Sequence, residues 1–231
     1  MIKKESRTFH MSVEGLNCET LYFTHLAKLI NESGINKYNL KVNPKVASPM
    51  AYAKRMSGRA SDNKGGRKIP YIHIQDIEDY YSDYHRRKFL GIIDEMREAE
   101  EEFGIAYQLG YTNYTFELWM LLHVAEMTHS VQNRHAYLTP VNRWFNRKYR
   151  NIDEFKAYDE FQNILKEFVT LDSVIQAIRR AEKIVQQNKD ERKKKETYRG
   201  FIFYHDNPDV NVHDVVKLIF DVCGVKWEYS P

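Results

Sequence analysis

The sequence predicts an α/β fold: a mostly parallel four-stranded sheet with flanking helices, followed by a helical C-terminal half. Three observations predict it. Residues 1–110 alternate short apolar runs of period two with longer runs of helical period. Gly, Asn and Pro fall between those runs, where helix ends and turns need them. After residue 110 only the helical period persists. Alternation of strand and helix is what a parallel sheet joined by crossover helices requires.

Residues 8–14 alternate, with Phe9, Met11 and Val13 on one face and Thr8, His10, Ser12 and Glu14 on the other, as in a half-buried strand. Gly15 ends it, and Asn17 can cap a helix whose stripe is Tyr22, Leu26, Leu29 and Ile30. Residues 38–42 are the second strand and residues 48–61 a weak helix. Asp62 to Lys68 is a loop with two adjacent glycines. Residues 69–76 form the third strand, residues 83–103 an amphipathic helix closed by Gly104, and residues 105–109 the fourth strand. Residues 115–126 are apolar nearly all round, which means a buried helix. Further stripes run through Phe155–Phe168, Leu171–Val185 and Val212–Phe220, with a charged loop over 188–197. We expect residues 1–126 to form the α/β core and residues 127–231 a helical extension packed on it. No Pro/Gly-rich linker separates them.

The 231 residues are 42% hydrophobic and 13% aromatic, with 16 Tyr and 12 Phe, which argues against a disordered chain. Thirty-five Lys and Arg against thirty-two Asp and Glu leave a net charge of +3, which excludes a polycation but allows local basic patches. Two cysteines, Cys18 and Cys223, cannot make a disulfide framework, so a reducing, cytoplasmic setting is expected. The longest nearly apolar run, Leu118–Ala125, is interrupted by His123 and falls well short of the ~20 residues that cross a bilayer, and the first residues lack an apolar signal core.

Chemistry is carried by acids at strand ends. Sites in open parallel sheets lie beyond the C-terminal ends of strands. The first strand ends in Glu14, and the third in Asp76 with Glu78 and Asp79 close behind. If those strands are neighbours their carboxylates converge, and converging carboxylates need a proton or a cation between them. Oxygen-only ligands suit Mg²⁺ or Mn²⁺, the usual partners of phosphoryl-transfer chemistry. Solvated loop acids are the bland alternative. Glu117, among Phe116, Leu118, Trp119 and Met120, needs a metal, an Arg or a water-filled cleft, because the helix N-terminus supplies only ~0.3–1 kcal/mol.

Two basic clusters suit nucleic acid. Lys54, Arg55, Arg59, Lys64, Arg67 and Lys68 crowd the segment before the third strand. Arg143, Arg147, Lys148 and Arg150 interleave with Trp144, Phe145 and Tyr149, a pattern for phosphate contact plus base stacking. The alternative for each is a solvated face, with Trp144 and Phe145 in the core. His123, Glu126 and His129 are poorly spaced for zinc. The glycines lack the spacing of a phosphate-binding loop, and no nucleophile elbow is present.

Three segments carry a resemblance. Ser12-Val-Glu-Gly-Leu-Asn-Cys-Glu-Thr-Leu-Tyr-Phe23 resembles the opening signature of RloB-like proteins: a strand, Glu-Gly, a second Glu five residues on, then an aromatic pair. Thr112-Asn-Tyr-Thr-Phe-Glu-Leu-Trp-Met-Leu-Leu-His123 resembles the second signature, and Asn207-Pro-Asp-Val-Asn-Val-His213 a C-terminal element. Order and spacing fit over nearly the whole chain, and Phe116–His123 is the most specific match. The family's relationship to the TOPRIM domains of OLD-type nucleases implies a TOPRIM-like core, with residues 1–126 as the catalytic part. It implies an Mg²⁺- or Mn²⁺-dependent endonuclease, cutting DNA or a structured RNA such as tRNA, in anti-phage defence and abortive infection. A partner ATPase of the ABC or AAA type would control it. By the same resemblance Glu14 serves as metal ligand and general acid/base, Asp76 holds metal, Glu117 completes the site and Glu19 is a second ligand or an ordering residue. The family's Asp-x-Asp is here Asp76-Ile77-Glu78 with Asp79 next, so Glu78 or Asp79 is the second acid. The family's Pro after Asn113 is Tyr114. A non-catalytic adaptor that binds an ATPase or nucleic acid is the alternative, and a phosphotransferase using the same acids a weaker third. No membrane partner is implied, and self-association is left open.

Overall fold

The structure, a computed structural model, describes residues 4–57 and 69–227. The chain runs through β1 (Ser6–Phe9), β2 (Met11–Val13), α1 (Cys18–Ser33), β3 (Asn39–Val42), β4 (Lys45–Val46), α2 (Pro49–Met56) and β5 (Tyr71–Asp76). It continues through α3 (Asp83–Phe103), β6 (Tyr107–Asn113), α4 (Glu117–Leu122), a 3-10 turn (Arg134–Tyr137), α5 (Leu138–Trp144), α6 (Ile152–Lys156) and α7 (Tyr158–Phe168). The last elements are α8 (Leu171–Asp190), β7 (Lys195–Tyr198), β8 (Phe201–Tyr204), β9 (Asp209–Val210) and α9 (Val212–Cys223).

The fold is α/β, but the main sheet is five-stranded and mixed rather than four-stranded and parallel. Its order is β4-β2-β5-β6-β9. The first four strands are parallel, and β9 closes the edge antiparallel, with Thr112 opposite Val210. The expected strand at 8–14 divides at His10. Its first half, β1, pairs with β3 in a separate parallel ribbon, while β2 enters the main sheet between β4 and β5. The expected polar face of β2 is therefore covered. Ser12 is buried and its hydroxyl lies 2.8 Å from His73 Nδ1. Central strands of a parallel sheet are packed on both faces.

Helix α3 falls where the amphipathic stripe places it. Helix α4 is shorter than the expected 115–126 helix and stops at Leu122. The single stripe through Phe155–Phe168 is two helices, broken at Ala157, whose backbone is extended at φ −58°, ψ 136°. The charged loop over 188–197 conceals half of a hairpin. β7 and β8 pair antiparallel around Arg199-Gly200, both at positive φ, the conformation a tight two-residue hairpin turn needs.

Two apolar clusters cover the sheet. The larger joins Met11, Val13, Ile72 and Ile74 to α1, α4, α7, α8 and α9, so the helical half shares a core with β2 and β5. The smaller packs α3 against Tyr107, Leu109, Tyr111 and Phe203. Close approach is permitted at Gly110, where a Cβ would stand 2.6 Å from Ile74 Cδ1 and 3.0 Å from Val215 Cγ2. Among the described residues no helix is long and apolar enough to cross a membrane.

The antiparallel edge is tied on by side chains that imitate a strand. Asn211 Oδ1 accepts from Tyr111 N at 2.6 Å and its Nδ2 donates to Leu109 O at 3.1 Å. Asn211→Ala strands both backbone groups of β6. The expected loss is about 1–3 kcal/mol in urea unfolding. A loss under about 0.5 kcal/mol, the scale of an ordinary surface substitution, would show that the edge does not depend on it.

Candidate active site

The C-terminal ends of β2 and β5 meet. Glu14 N donates to Ile74 O at 3.1 Å, which sets Glu14 beside the end of β5, where Asp76 is the last residue. Helix α1 starts at Cys18, so Glu19 lies in its first turn. Its carboxylate folds back over Gly15 so closely that a Cβ there would collide with it. Helix α4 opens on Glu117 after the end of β6. Strand ends and helix starts thus bring Glu14, Glu19, Asp76 and Glu117 into one crevice, where each of the other three acts on the charge of Asp76.

Glu14 is the best-held of the four. One carboxylate oxygen accepts from Asp76 N at 3.0 Å and from Gln75 Nε2, and the other accepts from Lys88 Nζ. Behind it runs a polarised chain. The Ser12 hydroxyl donates to His73 Nδ1 at 2.8 Å, His73 Nε2 faces Gln75 Oε1 at 3.3 Å, and the Gln75 amide donates to Glu14. Burial pushes His73 down to about 4, so the ring is neutral and its one N–H is the link to Gln75.

The other three carboxylates stand in low dielectric. Glu19 is 4% exposed, and burial pushes it up to about 7, helped by Glu14 and Glu117. Asp76 accepts from the Thr112 hydroxyl at 2.8 Å, yet burial, then Glu19 and Glu14, raise it well above the carboxylate range. Glu117 is 2% exposed and pairs with Lys156 Nζ at 2.7 Å. Burial works against the Lys156 ammonium, but Glu117 and Asp76 outweigh it and hold it firmly charged. Glu19 Oε2 and Glu117 Oε2 are buried without a hydrogen-bond partner. Cys18 lies beside them, and burial with the Glu19 charge keeps it a thiol.

Glu78 and Asp79 are turned elsewhere. Glu78 takes φ +56° and meets His85 Nε2 at 2.9 Å. Asp79 accepts from Tyr81 N at 3.0 Å and lines a neighbouring cavity. Among the described residues no three His, Cys, Asp or Glu side chains form a ready-made metal cage. The donor chemistry still fits a hard divalent cation: four carboxylates face the crevice, two of their oxygens buried and unpartnered, and the Cys18 sulfur stays a protonated thiol.

Sequence reading missed the two cations of the site. Lys156 ends α6, far along the chain, and its main chain is fixed by Asn17 Nδ2 donating to Lys156 O at 3.2 Å. Lys88 stands within α3 beside several other charged residues. Neither has a local pattern that marks it.

The basic clusters divide. Arg59, Lys64, Arg67 and Lys68 lie outside the described residues. Arg55 lies over the Tyr52 ring at 5.3 Å, lining a cleft with His10 and Lys45. Arg147 is committed to Glu160 at 2.9 Å and Glu167 at 2.6 Å, and Arg150 to Glu154 at 3.0 Å, which are structural ion pairs. Arg143 sits over Trp144, which is 42% exposed, while Phe145 is core. Lys148 is exposed. His123 is a core histidine: its Nδ1–H donates to Trp119 O at 2.9 Å, and its Nε2 faces the Tyr22 hydroxyl at 3.2 Å.

A family model described as RloB-like protein matches residues 9–219. No curated protein and no solved structure matches the chain.

The raised carboxyls fix the sign of a pH dependence. A folded state that holds Glu19 at about 7, against 4.5 when exposed, binds more protons than the unfolded chain between those values. Stability from this group is therefore complete below pH 4.5 and declines as pH rises through about 7, by up to about 1.4 kcal/mol per pH unit. His73 and His123, pushed down to about 4, act in the opposite sense below about pH 6.5, so Glu19 is read by difference: in metal-free buffer Glu19→Gln should gain melting temperature relative to the native chain as pH rises from 4.5 to about 7. A difference between Glu19→Gln and the native chain that stays constant across that window would contradict the buried-carboxyl arrangement.

Proposed function

The chain belongs to the RloB-like family, and on that footing we propose that it is a TOPRIM-like, Mg²⁺- or Mn²⁺-dependent nuclease. The observation that carries the reading is the crevice itself: Glu14, Glu19, Asp76 and Glu117 at the ends of parallel strands, with two buried carboxylate oxygens lacking any partner. A cation held there by Glu14, Asp76 and Glu19 would neutralise a phosphodiester and acidify a water. Glu14 is the proton carrier. The chain Ser12–His73–Gln75 fixes one of its oxygens and leaves the other, now on Lys88, facing the open side. Lys88 is half exposed, so it can leave Glu14 for a phosphate oxygen. Glu117 and Lys156 form the buried charge pair that stops the cluster from flying apart.

The substrate is DNA or a structured RNA such as tRNA. The exposed cations Arg143 and Lys148 and the Trp144 ring are left to meet it. The role as an anti-phage effector controlled by a partner ATPase rests on the resemblance of the three signatures. One feature favours the adaptor instead: Lys88 and Lys156 already answer part of the charge a metal would answer.

Plasmid DNA and total tRNA, incubated with the purified chain and Mg²⁺ or Mn²⁺, separate the two. The nuclease reading expects cleavage that EDTA abolishes and that both Glu14→Gln and Asp76→Asn reduce by at least about a hundredfold, the scale of a lost acid–base group. Cleavage that survives both substitutions would place the activity elsewhere. Nucleic-acid binding with no cleavage, in the presence of an ATPase encoded beside it, would favour the adaptor.

A further inference from the structure

Beyond β5 and β6 lies a second cavity of about 240 Å³. Its position is tied to the acid site. Asp79 follows Asp76 by three residues, Ile77 N donates to Thr112 O at 2.9 Å, and Glu78 N donates to Tyr114 O at 2.9 Å. The two strand-end loops are thus zipped together, and the cavity keeps a fixed relation to Asp76.

The floor is rigid. The Tyr80 ring lies against the His205 ring with centroids 4.4 Å apart. Tyr80 OH and His205 Nε2 both reach Glu196, at 2.8 and 3.0 Å. Two more rings form the walls. Tyr81 is 67% exposed, yet its hydroxyl is held by Asp206 at 2.7 Å. Tyr114 donates to Gln132 O at 3.1 Å. A large aromatic side chain that is exposed and still fixed in place is a preformed stacking surface. Around the rings stand two carboxylates, Asp79 and Asp206, and one ammonium, Lys193.

That chemistry selects its ligand. A bare phosphate would face two carboxylates and be repelled. An aliphatic ligand would make no use of the flat walls. A flat aromatic ring with N–H groups on its edge and a phosphate near by answers all three features. Carboxylates accept from exocyclic amines, tyrosines stack, and Lys193 meets the phosphate. The volume is below the ~300–1,000 Å³ of pockets for drug-sized ligands, which leaves room for one base only.

We propose that this cavity receives one unstacked nucleobase of the strand whose backbone crosses the acid site, with Tyr81 and Tyr114 stacking on it and Asp79 and Asp206 reading its amino edge. The proposal rests on the nuclease reading for the identity of the strand, and on the cavity alone for the base. It makes the substrate single-stranded at the cut, or a duplex with a base turned out of the stack.

The test is made in the Glu14→Gln background, so that binding is read without cleavage. A single-stranded oligonucleotide carrying 2-aminopurine, and free AMP, CMP and UMP, are titrated by fluorescence and competition. Tyr81→Ala should weaken the oligonucleotide about tenfold or more, and Tyr81→Phe, which keeps the ring, should recover most of that. Asp206→Asn should reduce the preference for AMP and CMP over UMP. Equal affinity in Tyr81→Ala with an unchanged melting temperature would overturn the proposal, as would ribose 5-phosphate competing as well as AMP. Binding of free mononucleotides without the oligonucleotide would overturn the assignment to a strand and identify the ligand as a free nucleotide. If the native chain cleaves nothing even with its partner ATPase present, while the base contacts behave as stated, the nuclease reading fails and the base pocket stands.

Discussion

The structure turns on one electrostatic constraint: four carboxylates must share a crevice in which two, Glu19 and Glu117, are almost out of water and the other two are half-buried. Buried like charges cannot all stay ionised without cations among them. The chain supplies two cations, each from a distant element. Lys88 reaches Glu14 from α3, and Lys156 reaches Glu117 from the end of α6. The remaining excess shows in Glu19 and Asp76, both of which burial pushes toward the protonated form. Such a site is destabilising for a protein that only has to fold. Its cost is a reason to look for function there.

The scaffold meets that constraint by fixing strand ends. The register of β2 on β5, with Val13 opposite Ile74, sets Glu14 beside Asp76. The helical half is part of the same device, because Lys156 closes the site and Asn17 holds the Lys156 carbonyl. Across the sheet, the C-terminal element works as a set of staples. Asn207 bonds both backbone groups of Val131, and Asn211 bonds two of β6. Asp209 accepts from Tyr204 N at 2.8 Å and from the Tyr111 hydroxyl at 2.7 Å, although burial pushes it up to about 6. The third signature is thus architecture, while the first two supply Glu14, Glu19 and Glu117.

Much of this was legible in the sequence, for identifiable reasons. Helix α3 was readable because its apolar stripe spans 21 residues and ends in a glycine at positive φ. Glu14 and Asp76 were readable because strand ends are where parallel sheets place chemistry, Glu117 because its apolar neighbours leave an acid no local partner, and Glu19 only through the resemblance of the first signature. Strand β2 was misread as half-wet: its polar side chain, Ser12, spends its hydrogen bond on His73 of the next strand, a contact invisible to periodicity. The β7–β8 hairpin hid behind the charge of Lys193 to Lys195, since edge strands carry charge outward. Glu78 and Asp79 were drawn into the metal motif by proximity to Asp76, but a positive φ at Glu78 redirects the chain. Lys88 and Lys156 were illegible because their meaning depends on contacts across 74 residues for Lys88 and a different element for Lys156.

The central claim is that this crevice takes one divalent cation. Mn²⁺ bound to the purified chain can be counted directly by electron paramagnetic resonance at about pH 8, above the value of about 7 to which burial pushes Glu19. The account predicts one site per chain, abolished by Asp76→Asn, weakened by Glu19→Gln and displaced by Mg²⁺. Mn²⁺ that does not bind, or that binds equally well to Asp76→Asn, would contradict it.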